Sequence, residues 1–327
     1  MTTKLLYLFT RTPLHVGAGS SVGAIDQPIQ RERHTGFPII PASSLKGSFA
    51  DQWPIAEGET KRLSTKEGVL EKSSPAAWLF GSDTTDLSFA GSLLFSEARV
   101  LAFPIRSAKG SFAWITCPMM LQRAKRDGVI KGEIPPEPKD EEAIFKSDGP
   151  LALPDNQIVL EEYCFKLTGT YPSTLTGDLA GLVEDALFQT IADRLVVLSN
   201  GMMSHFASTT CEVAQHVKIS DETGTAEDGG LFNQENVPAD TLFYSVLNAT
   251  KSRVPGGEFK EKTPEDASAE FEKKSPISKT SSNSAETPPR VSGFARSRLT
   301  NQYILANLAN YDHCQHARSE DPALPTR

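Results

Sequence analysis

The sequence predicts an α+β fold with long insertions. With 39% hydrophobic residues among 327, the chain can bury a sizeable core. Short apolar runs rich in β-branched and aromatic residues mix with helix-like segments without a strict strand-helix-strand order, which disfavours a doubly wound sheet. Polar stretches separate these runs and predict the insertions.

The chain begins with the pattern of a strand, a long loop and a helix. Residues 5–9 form an apolar run that predicts a strand and is too short for a signal peptide or a membrane span. Residues 12–23 are rich in Gly and Ser and predict a loop. After a short extended segment at 37–41, Ser43 and Ser44 are placed to cap a helix that begins at residue 45.

Further short elements are predicted up to residue 250. Apolar segments on both sides of a turn rich in Asp and Gly, at 213–219 and 230–232, predict a hairpin. Helices are predicted over residues 75–80, 118–126 and 179–187. β-branched and aromatic clusters predict strands over residues 91–98, 100–104, 111–116, 158–167, 195–198 and 242–247.

Composition divides the chain into one folded domain and a polar remainder. Residues 1–250 predict a single domain with a polar insertion at about 54–90, which includes a turn at 81–83, and a solvated linker at 127–156. Residues 251–327 form a polar, atypical C-terminal tail. Its Glu, Lys, Ser and Pro content and its few aromatic residues predict disorder or marginal helix up to residue 290.

The charge distribution places any nucleic-acid surface near the N-terminus. The net charge of −8 argues against an ordinary nucleic-acid binder, because phosphate affinity comes from clustered Lys and Arg. The first 50 residues, however, hold five Lys and Arg against two acidic residues, a net charge of +3, so that the remainder carries −11. A phosphate-binding surface should therefore involve these first 50 residues.

The four cysteines are far apart in the sequence, at Cys117, Cys164, Cys211 and Cys314. No CxxC pair predicts zinc and no spacing predicts a disulfide framework. A reducing cytoplasm fits this pattern best.

Residues 13–47 have the composition of a phosphate cradle. Glycines let backbone N–H groups approach a phosphate chain closely, and arginines supply positive charge. Ser and Lys at a predicted helix N-terminus lie where the helix dipole favours anions. The residues concerned are Gly17, Gly19, Gly23, Arg31, Arg33, Ser43, Ser44 and Lys46.

Simpler interpretations of this segment stay open. Glycine-rich loops are often only turns, and no GKS or GKT follows at the Walker spacing, which disfavours an NTPase phosphate loop. Asp26 can pair with Arg31 or Arg33, the commoner fate of a lone Asp, and His15 and His34 can be structural histidines. The residue types alone do not decide between a phosphate site and a structural loop.

Longer motifs resemble the RAMP superfamily, and within it the fourth Cmr subunit, which repeats along the backbone of type III-B CRISPR effector complexes. The resemblance covers about residues 1–247. It is carried by HVGAG at 15–19, IDQPIQRERHTG at 25–36, SSLKG at 43–47, AGSLLFSEARVLAFPIRS at 90–107, WITCP at 114–118, RLVVLS at 194–199, GGLF at 229–232 and VP at 237–238.

The resemblance implies a fold and an assembly. The core would be RRM-like (ferredoxin-like), with a protruding β-hairpin, the thumb, at about residues 208–240. Copies of the chain would stack into a filament on a guide CRISPR RNA that pairs with a complementary target RNA. Other RAMP subunits would complete the complex in the cytoplasm, with no membrane involved.

The resemblance also implies site residues. Asp26 would be the essential catalytic aspartate of an endoribonuclease and would hold a divalent metal ion, Mg²⁺ or Mn²⁺, while His15 would act as a base or phosphate contact. The thumb candidates are Gln234, Glu235 and Asn236. Residues expected at the RNA backbone are Gly17, Gly19, Arg31, Arg33, Ser43, Ser44, Lys46 and Gly47.

Two departures from the family pattern leave another function open. Gln234, Glu235 and Asn236 stand where the family has a sequence like Glu-Glu-Tyr. The glycine-rich C-terminal loop of the family is also missing, as expected of a diverged or frameshifted end. The alternative is therefore a catalytically silent, structural RNA-binding subunit. The missing loop disfavours a third possibility, a stand-alone endonuclease that processes guide RNA.

Overall fold

A large mixed sheet organises the chain. The computed structural model describes residues 1–19, 23–53, 75–84, 87–220, 223–274 and 304–310. Its helices are α1 (Ala42–Asp51), α2 (Pro75–Phe80), α3 (Pro118–Arg126), α4 (Ser173–Ala180), α5 (Ile191–Arg194), α6 (Asn200–Thr209) and α7 (Pro264–Lys274). Its strands are β1 (Thr2–Thr10), β2 (Ile39–Ile40), β3 (Gly81–Thr84), β4 (Leu87–Ala90), β5 (Leu93–Phe95), β6 (Ala98–Ser107), β7 (Ser111–Thr116), β8 (Glu142–Ile144), β9 (Gln157–Leu160), β10 (Tyr163–Gly169), β11 (Leu195–Val197), β12 (Glu212–Ile219), β13 (Ala226–Asn236), β14 (Leu242–Ala249) and β15 (Ile304–Asn310).

Eleven of these strands join into one sheet. Its main path runs β15-β1-β14-β6-β7-β11-β8-β10-β9, with β2 attached to β6 and β5 to β14. Strand β9 returns to β6 where Leu160 pairs with Ser107, so the path from β6 to β9 closes on itself. Most pairs are antiparallel, but β11 with β7 and β10 with β8 are parallel. The predicted mixture of helices and strands without doubly wound order is confirmed.

Among the helices of the described ranges, none combines the length and the apolar character needed to cross a membrane.

Strand β1 is buried on both faces. Leu6 and Leu8 belong to one core cluster, and Leu5, Tyr7 and Phe9 belong to a second cluster on the other face. Each of the five is at most 3% exposed. Because successive side chains of a strand point to opposite faces, the continuous apolar run at this position is that of a strand covered on both sides.

Strands β12 and β13 form the predicted hairpin, apart from the main sheet. Val213, Val217, Ile219 and Leu231 are each 50–68% exposed. Val217 pairs with Leu231 across the two strands. We call these four residues the apolar hairpin surface.

The core continues past the domain boundary predicted near residue 250. Phe271 of α7 is fully buried, with its ring centroid 5.3 Å from that of Phe49 and 5.8 Å from that of Phe95. Strand β15 also pairs with β1. Residues 251–274 are therefore packed on the core rather than disordered, and α7 has one apolar face among its many charged residues. Residues 275–303 and 311–327 lie outside the described residues.

Two segments expected to be polar also contribute to the core. Within the insertion predicted at 54–90, Trp78 is 2% exposed, and the turn expected at 81–83 is strand β3, paired with β4. Residues 54–74 lie outside the described residues. In the linker predicted at 127–156, β8 joins the sheet and Phe145 is 1% exposed. Single apolar residues between prolines and carboxylates show no periodicity, so the sequence did not reveal them.

Several element boundaries also differ from the prediction. The strand expected over 158–167 is the pair β9 and β10, because the chain turns at Glu161, which has a positive φ of 50°. The helix expected over 179–187 lies earlier, as α4. Helix α6 was not predicted, although Ser199 caps it by accepting a hydrogen bond from Met202 N.

Helix α1 begins earlier than predicted. Its N-cap is Pro41, with extended backbone (φ −56°, ψ 145°) and no side-chain cap. Ser43 and Ser44 therefore lie within the first turn. Proline fits this boundary because it has no N–H to leave unpaired.

The packing of α7 generates a stability prediction. Phe271→Ala should lower the free energy of unfolding by about 3–5 kcal/mol, because it opens a cavity among aromatic rings. Urea unfolding followed by circular dichroism measures this change. Lys273→Ala, at an exposed position of the same helix, should change stability by less than about 0.5 kcal/mol. Equal stability of the two variants would show that α7 is not part of the core.

Candidate active site

The segment around Asp26 is paired with a neighbouring segment on each side through an isolated β-bridge. On one side Ile29 bridges Gly17, and on the other side Gln27 bridges Gln234 of β13. The segment is therefore paired along both edges although no strand was predicted there. Backbone groups paired in this way are satisfied and fixed in position.

One edge of β13 organises the site. Alternate residues of a strand direct their backbone N–H and C=O groups to opposite edges, and Asn233 and Glu235, together with Val237 directly after the end of β13, direct theirs away from β12. We call these three residues the inner edge of β13. Asn233 N binds the Asp26 carboxylate and Glu235 O binds the His15 ring. Because these anchors are two residues apart, they are separated by about 6.6–6.8 Å along the strand.

The exposed side chain of Asp26 is oriented by Asn233. Asn233 N donates to Asp26 Oδ2 at 2.9 Å, and Asp26 N donates to Asn233 Oδ1 at 2.8 Å. Asn233 Nδ2 donates to Ala24 O at 3.0 Å. Within the described ranges, neither Arg31 nor Arg33 pairs with Asp26, so the ion pair considered from sequence is not formed. The other carboxylate oxygen has no hydrogen-bond partner among the residues that the structure describes.

One ring nitrogen of His15, Nε2, is placed to act as a base. Its Nδ1 lies 2.7 Å from Glu235 O. A carbonyl oxygen only accepts hydrogen bonds, so Nδ1 carries the hydrogen and Nε2 is the nitrogen that can accept a proton. A Cβ at Gly17 would come within 3.0 Å of Nε2, so a glycine at this position leaves room for the ring. Gly19 adopts a φ of 97°, which disfavours any other residue.

Arg31 and Glu235 form a buried ion pair behind the loop. Their Nη2 and Oε1 atoms are 2.5 Å apart, and the side chains are 21% and 6% exposed. Arg31 Nη1 also donates to Gly36 O and Ala207 O, at 2.8 and 2.7 Å, and Glu235 Oε2 accepts from Ile29 N at 3.0 Å. Arg31, expected at the RNA backbone, is therefore committed to internal contacts. Glu235, expected in the thumb, instead joins the hairpin to the loop.

A buried carboxylate fixes the exposed turn that carries Arg33 and His34. Glu32 Oε2 accepts from Thr35 Oγ1 at 2.7 Å and from Arg123 Nη1 at 2.9 Å. Burial raises the pKa of Glu32, but these hydrogen bonds and the arginine charge outweigh burial, and the net pKa is lowered. Arg33 remains exposed on this turn and can reach a phosphate.

The residues predicted on α1 face a separate groove. Ser43, Lys46 and Gly47 line a groove of about 550 Å³, opposite residues of β3 and β4. Ser44 is not among the residues that line it. Burial, together with the charge of Arg253, lowers the pKa of Lys46. The structure thus brings three of the four α1 candidates to one concave surface.

The two remaining thumb candidates lie where the hairpin joins the body. Gln234 Nε2 donates to Asn236 Oδ1 at 2.9 Å, and Asn236 is 7% exposed. Neither residue lies on the apolar hairpin surface. A side chain buried in this way cannot stack on a base, and Asn236 is also not aromatic.

Metal ligands are sparse at this site. Within the part of the chain that the structure describes, no group of three or more His, Cys, Asp or Glu side chains could hold a metal ion. Mg²⁺ commonly binds through one or two carboxylates together with substrate phosphates and water. The lone Asp26 carboxylate therefore fits a metal ion only if bound RNA completes the coordination.

Burial raises the pKa of Cys117 and Cys211 to about 11, which makes both thiols poor ligands.

Sequence reasoning missed Asn233 and Arg123. Asn233 directly follows the GGLF motif, and Arg123 lies in the last turn of α3. Asn233 is adjacent to the named thumb candidates, which was the available signal. No sequence pattern connects Arg123 with Glu32, because their pairing depends on how α3 packs.

The buried ion pair generates a second prediction. Arg31→Ala should lower the free energy of unfolding by about 3–5 kcal/mol, because it leaves the Glu235 carboxylate buried without its partner. Arg33→Ala, the matched change at the exposed neighbouring arginine, should cost less than about 0.5 kcal/mol. Thermal and urea unfolding compare the two variants. A similar small cost for both would mean that the Arg31 contacts do not stabilise the loop.

Several known proteins are similar to this chain in sequence or in fold. The RAMP superfamily pattern matches residues 8–274. The chain is 33% identical over 260 residues to the CRISPR system Cmr endoribonuclease Cmr4 of Pyrococcus furiosus, and this alignment covers 76% of the chain and 82% of that protein.

Two solved structures show the same fold. The crystal structure of oligomeric Cmr4 from Pyrococcus furiosus has a TM-score of 0.61 at 23% identity, and the match covers 95% of this chain and 100% of that chain. A cryo-EM structure of type III-B Cmr-beta bound to cognate target RNA contains a chain with a TM-score of 0.54 at 21% identity, covering 83% and 87%. The sequence match over most of the chain establishes the family: this chain belongs to the RAMP superfamily and groups with its Cmr4 members.

Proposed function

We propose that the chain is a repeated backbone subunit of a type III-B CRISPR ribonucleoprotein, which binds guide RNA and cuts complementary target RNA at regular intervals in antiviral defence. One observation carries the proposal: the exposed Asp26 carboxylate is fixed by β13, the strand that continues into the hairpin. A relative with a third of its aligned residues identical is named an endoribonuclease, which supports the same activity.

The proposed reaction is an attack by a 2′-OH of the target RNA on the adjacent phosphorus. The O2′–P bond forms while the P–O5′ bond breaks, which gives a 2′,3′-cyclic phosphate and a 5′-hydroxyl. The 2′-OH proton must be removed and O5′ must gain a proton. His15 Nε2 is suited to take the 2′-OH proton, since Nδ1 is committed to Glu235 O.

Asp26 is the proposed ligand of a divalent metal ion, Mg²⁺ or Mn²⁺. When bound, such an ion would neutralise the charge that builds up on the phosphate oxygens. Asp26 itself supplies one carboxylate oxygen that has no partner within the described residues, while Asn233 N holds the other. Phosphate oxygens and water must supply the remaining ligands.

The RNA backbone is proposed to lie along the N-terminal segment. Lys46 in the α1 groove and Arg33 on its exposed turn supply positive charge. A single acidic chain would bind RNA weakly, but a filament of copies presents the same small basic surface repeatedly. Backbone N–H groups of the loop and of the first turn of α1 supply further contacts. These additional contact residues are Gly17, Gly19, Ser43 and Ser44, and Gly47 in the next turn of α1 is a further contact because it lines the groove.

The hairpin is the proposed thumb. Its apolar surface, which includes the exposed Val217 and Leu231, can displace stacked bases without needing a polar partner. A displaced nucleotide leaves its backbone free to rotate, and the 2′-OH can then line up with the phosphorus and O5′. Base pairing with the guide reads the target sequence, while the protein reads backbone shape.

The proposal extends to the assembly. The core is RRM-like, and the partners are guide CRISPR RNA, complementary target RNA, further copies of the chain and other RAMP subunits, in the cytoplasm. Two of the similar structures support these partners, since one is of an oligomeric Cmr4 and the other is of Cmr-beta bound to cognate target RNA.

A second candidate function is a silent RNA-binding scaffold. It is favoured by the lone carboxylate at Asp26 and by Asn236, a buried and non-aromatic residue where the family pattern has a tyrosine. A scaffold would bind target RNA without cutting it.

Removal of the Asp26 charge tests the proposed reaction. In a complex assembled with guide RNA, Asp26→Asn should abolish cutting of a labelled complementary RNA and leave its binding unchanged. Asp155→Asn, an isosteric change at an exposed aspartate of a loop, should give the wild-type ladder of products on a sequencing gel. No products from the wild type, with tight binding, would favour the scaffold.

Metal removal tests the proposed cofactor separately. Treatment of the assembled wild-type complex with EDTA should stop cleavage, and added Mg²⁺ or Mn²⁺ should restore the product ladder, because the negative Asp26 carboxylate needs a bound cation to act on a negative phosphate. Binding of the labelled target, measured in the same samples, should change little. Undiminished cleavage in EDTA would exclude the metal and leave an acid–base mechanism through His15 and Asp26.

A further inference from the structure

We infer that Asn233 is a positioning residue for Asp26, and that it fixes the carboxylate at the base of the hairpin. The inference rests on the proposed function, in which Asp26 acts on target RNA. Asn233 does not touch the reacting atoms in this arrangement; it acts through Asp26.

Three hydrogen bonds connect the two residues and the backbone before Asp26. Two of them run in opposite directions between Asn233 and Asp26: backbone N to carboxylate Oδ2 at 2.9 Å, and Asp26 N to the side-chain Oδ1 at 2.8 Å. The third runs from Asn233 Nδ2 to Ala24 O at 3.0 Å. Asn233 therefore fixes both the carboxylate and the backbone that carries it.

An asparagine suits this position chemically. Its side chain offers an acceptor and two donors on one short, planar group. The acceptor meets Asp26 N while a donor meets Ala24 O, so one side chain spans the turn. An alanine lacks both kinds of group, an ionised aspartate lacks the donor, and a serine has a single oxygen in place of two separate groups.

The need for such support follows from the position of Asp26. The carboxylate is exposed and follows a loop in which Gly19 and Gly23 have positive φ values of 97° and 63°. Loops of this kind have a high conformational freedom to lose. Without the Asn233 side chain, Asp26 N and Ala24 O would lose their bonds to it, and the carboxylate would be held by the Asn233 backbone N alone, with more orientations open to it.

The same contacts couple the hairpin to the site. Asn233 pairs with Gln215 of β12 across the hairpin, and its backbone O accepts from Gln27 N at 3.1 Å. A nucleotide that pushes on the hairpin therefore acts on a strand that also holds Asp26.

Asn233→Ala in the assembled complex tests the inference. The variant should bind target RNA with wild-type affinity, and its single-turnover cleavage rate at saturating target should fall by roughly 10- to 100-fold, as is usual for residues that orient a metal ligand. The concentration of Mg²⁺ that gives half the maximal rate should rise. A purely structural role would change the amount of complex but neither the rate per assembled complex nor the Mg²⁺ requirement.

Two further variants complete the test. Asn248→Ala removes a partly buried asparagine that bonds Thr3, away from β13, and should cut at the wild-type rate. Asn233→Asp keeps an oxygen that accepts from Asp26 N but loses the donor to Ala24 O and adds a negative charge beside Asp26, so it should cut more slowly than the wild type. If Asn233→Ala does not assemble, the rate of Asn233→Asp against Asn248→Ala decides, and a rate equal to that of the control would overturn the inference.

The outcomes separate this inference from the proposed function. If Asp26→Asn abolishes cleavage while Asn233→Ala cuts at the wild-type rate, Asp26 is catalytic and the positioning role is wrong. If the wild-type complex does not cut at all, the proposed function fails first. A loss of target affinity that accounts for the whole fall in rate of Asn233→Ala would also overturn the positioning role.

Discussion

The candidate site depends on one backbone interaction, the pairing of the inner edge of β13 with the N-terminal loop. Through three successive odd-numbered residues this edge holds Asp26, His15 and the chain at Leu14. Since these partners are more than 200 residues apart in sequence, the site exists only once β13 and the loop meet. The Arg31–Glu235 ion pair reinforces the same junction from the buried side.

This junction also changes how the charge of the N-terminal segment should be understood. The net charge of +3 in the first 50 residues suggested a phosphate surface, but Arg31 is used to neutralise Glu235 inside the protein. The charge left for RNA is smaller, and Arg33 and Lys46 carry part of it. Burial lowers the pKa of Lys46, so a partner phosphate would favour its charged form. Repetition of copies along an RNA then matters more than the charge of any single copy.

The sequence predicted those parts of the fold whose signals are local. The apolar run of β1, the helix α3 after Pro118 and the hairpin with its Asp- and Gly-rich turn were all foreseen. Elements whose apolar residues are scattered among charged ones, such as β8 and α7, were missed. These residues are buried by elements distant in sequence, as Phe271 is by the rings of Phe49 and Phe95. A local sequence pattern does not predict such contacts.

The order of the motifs and the hydropathy pattern are properties of the sequence itself. They indicated the family, the mixture of strands and helices, and the segment in which the candidate residues lie. What each residue does in that segment depends on contacts made in the folded chain. In the folded chain Arg31 forms an ion pair with Glu235 and not with Asp26, and Asp26 is hydrogen-bonded to Asn233. Ion pairs and hydrogen bonds depend on distance and direction in space, and residues adjacent in sequence can face opposite edges of a strand, so no reading of the sequence alone could assign these partners.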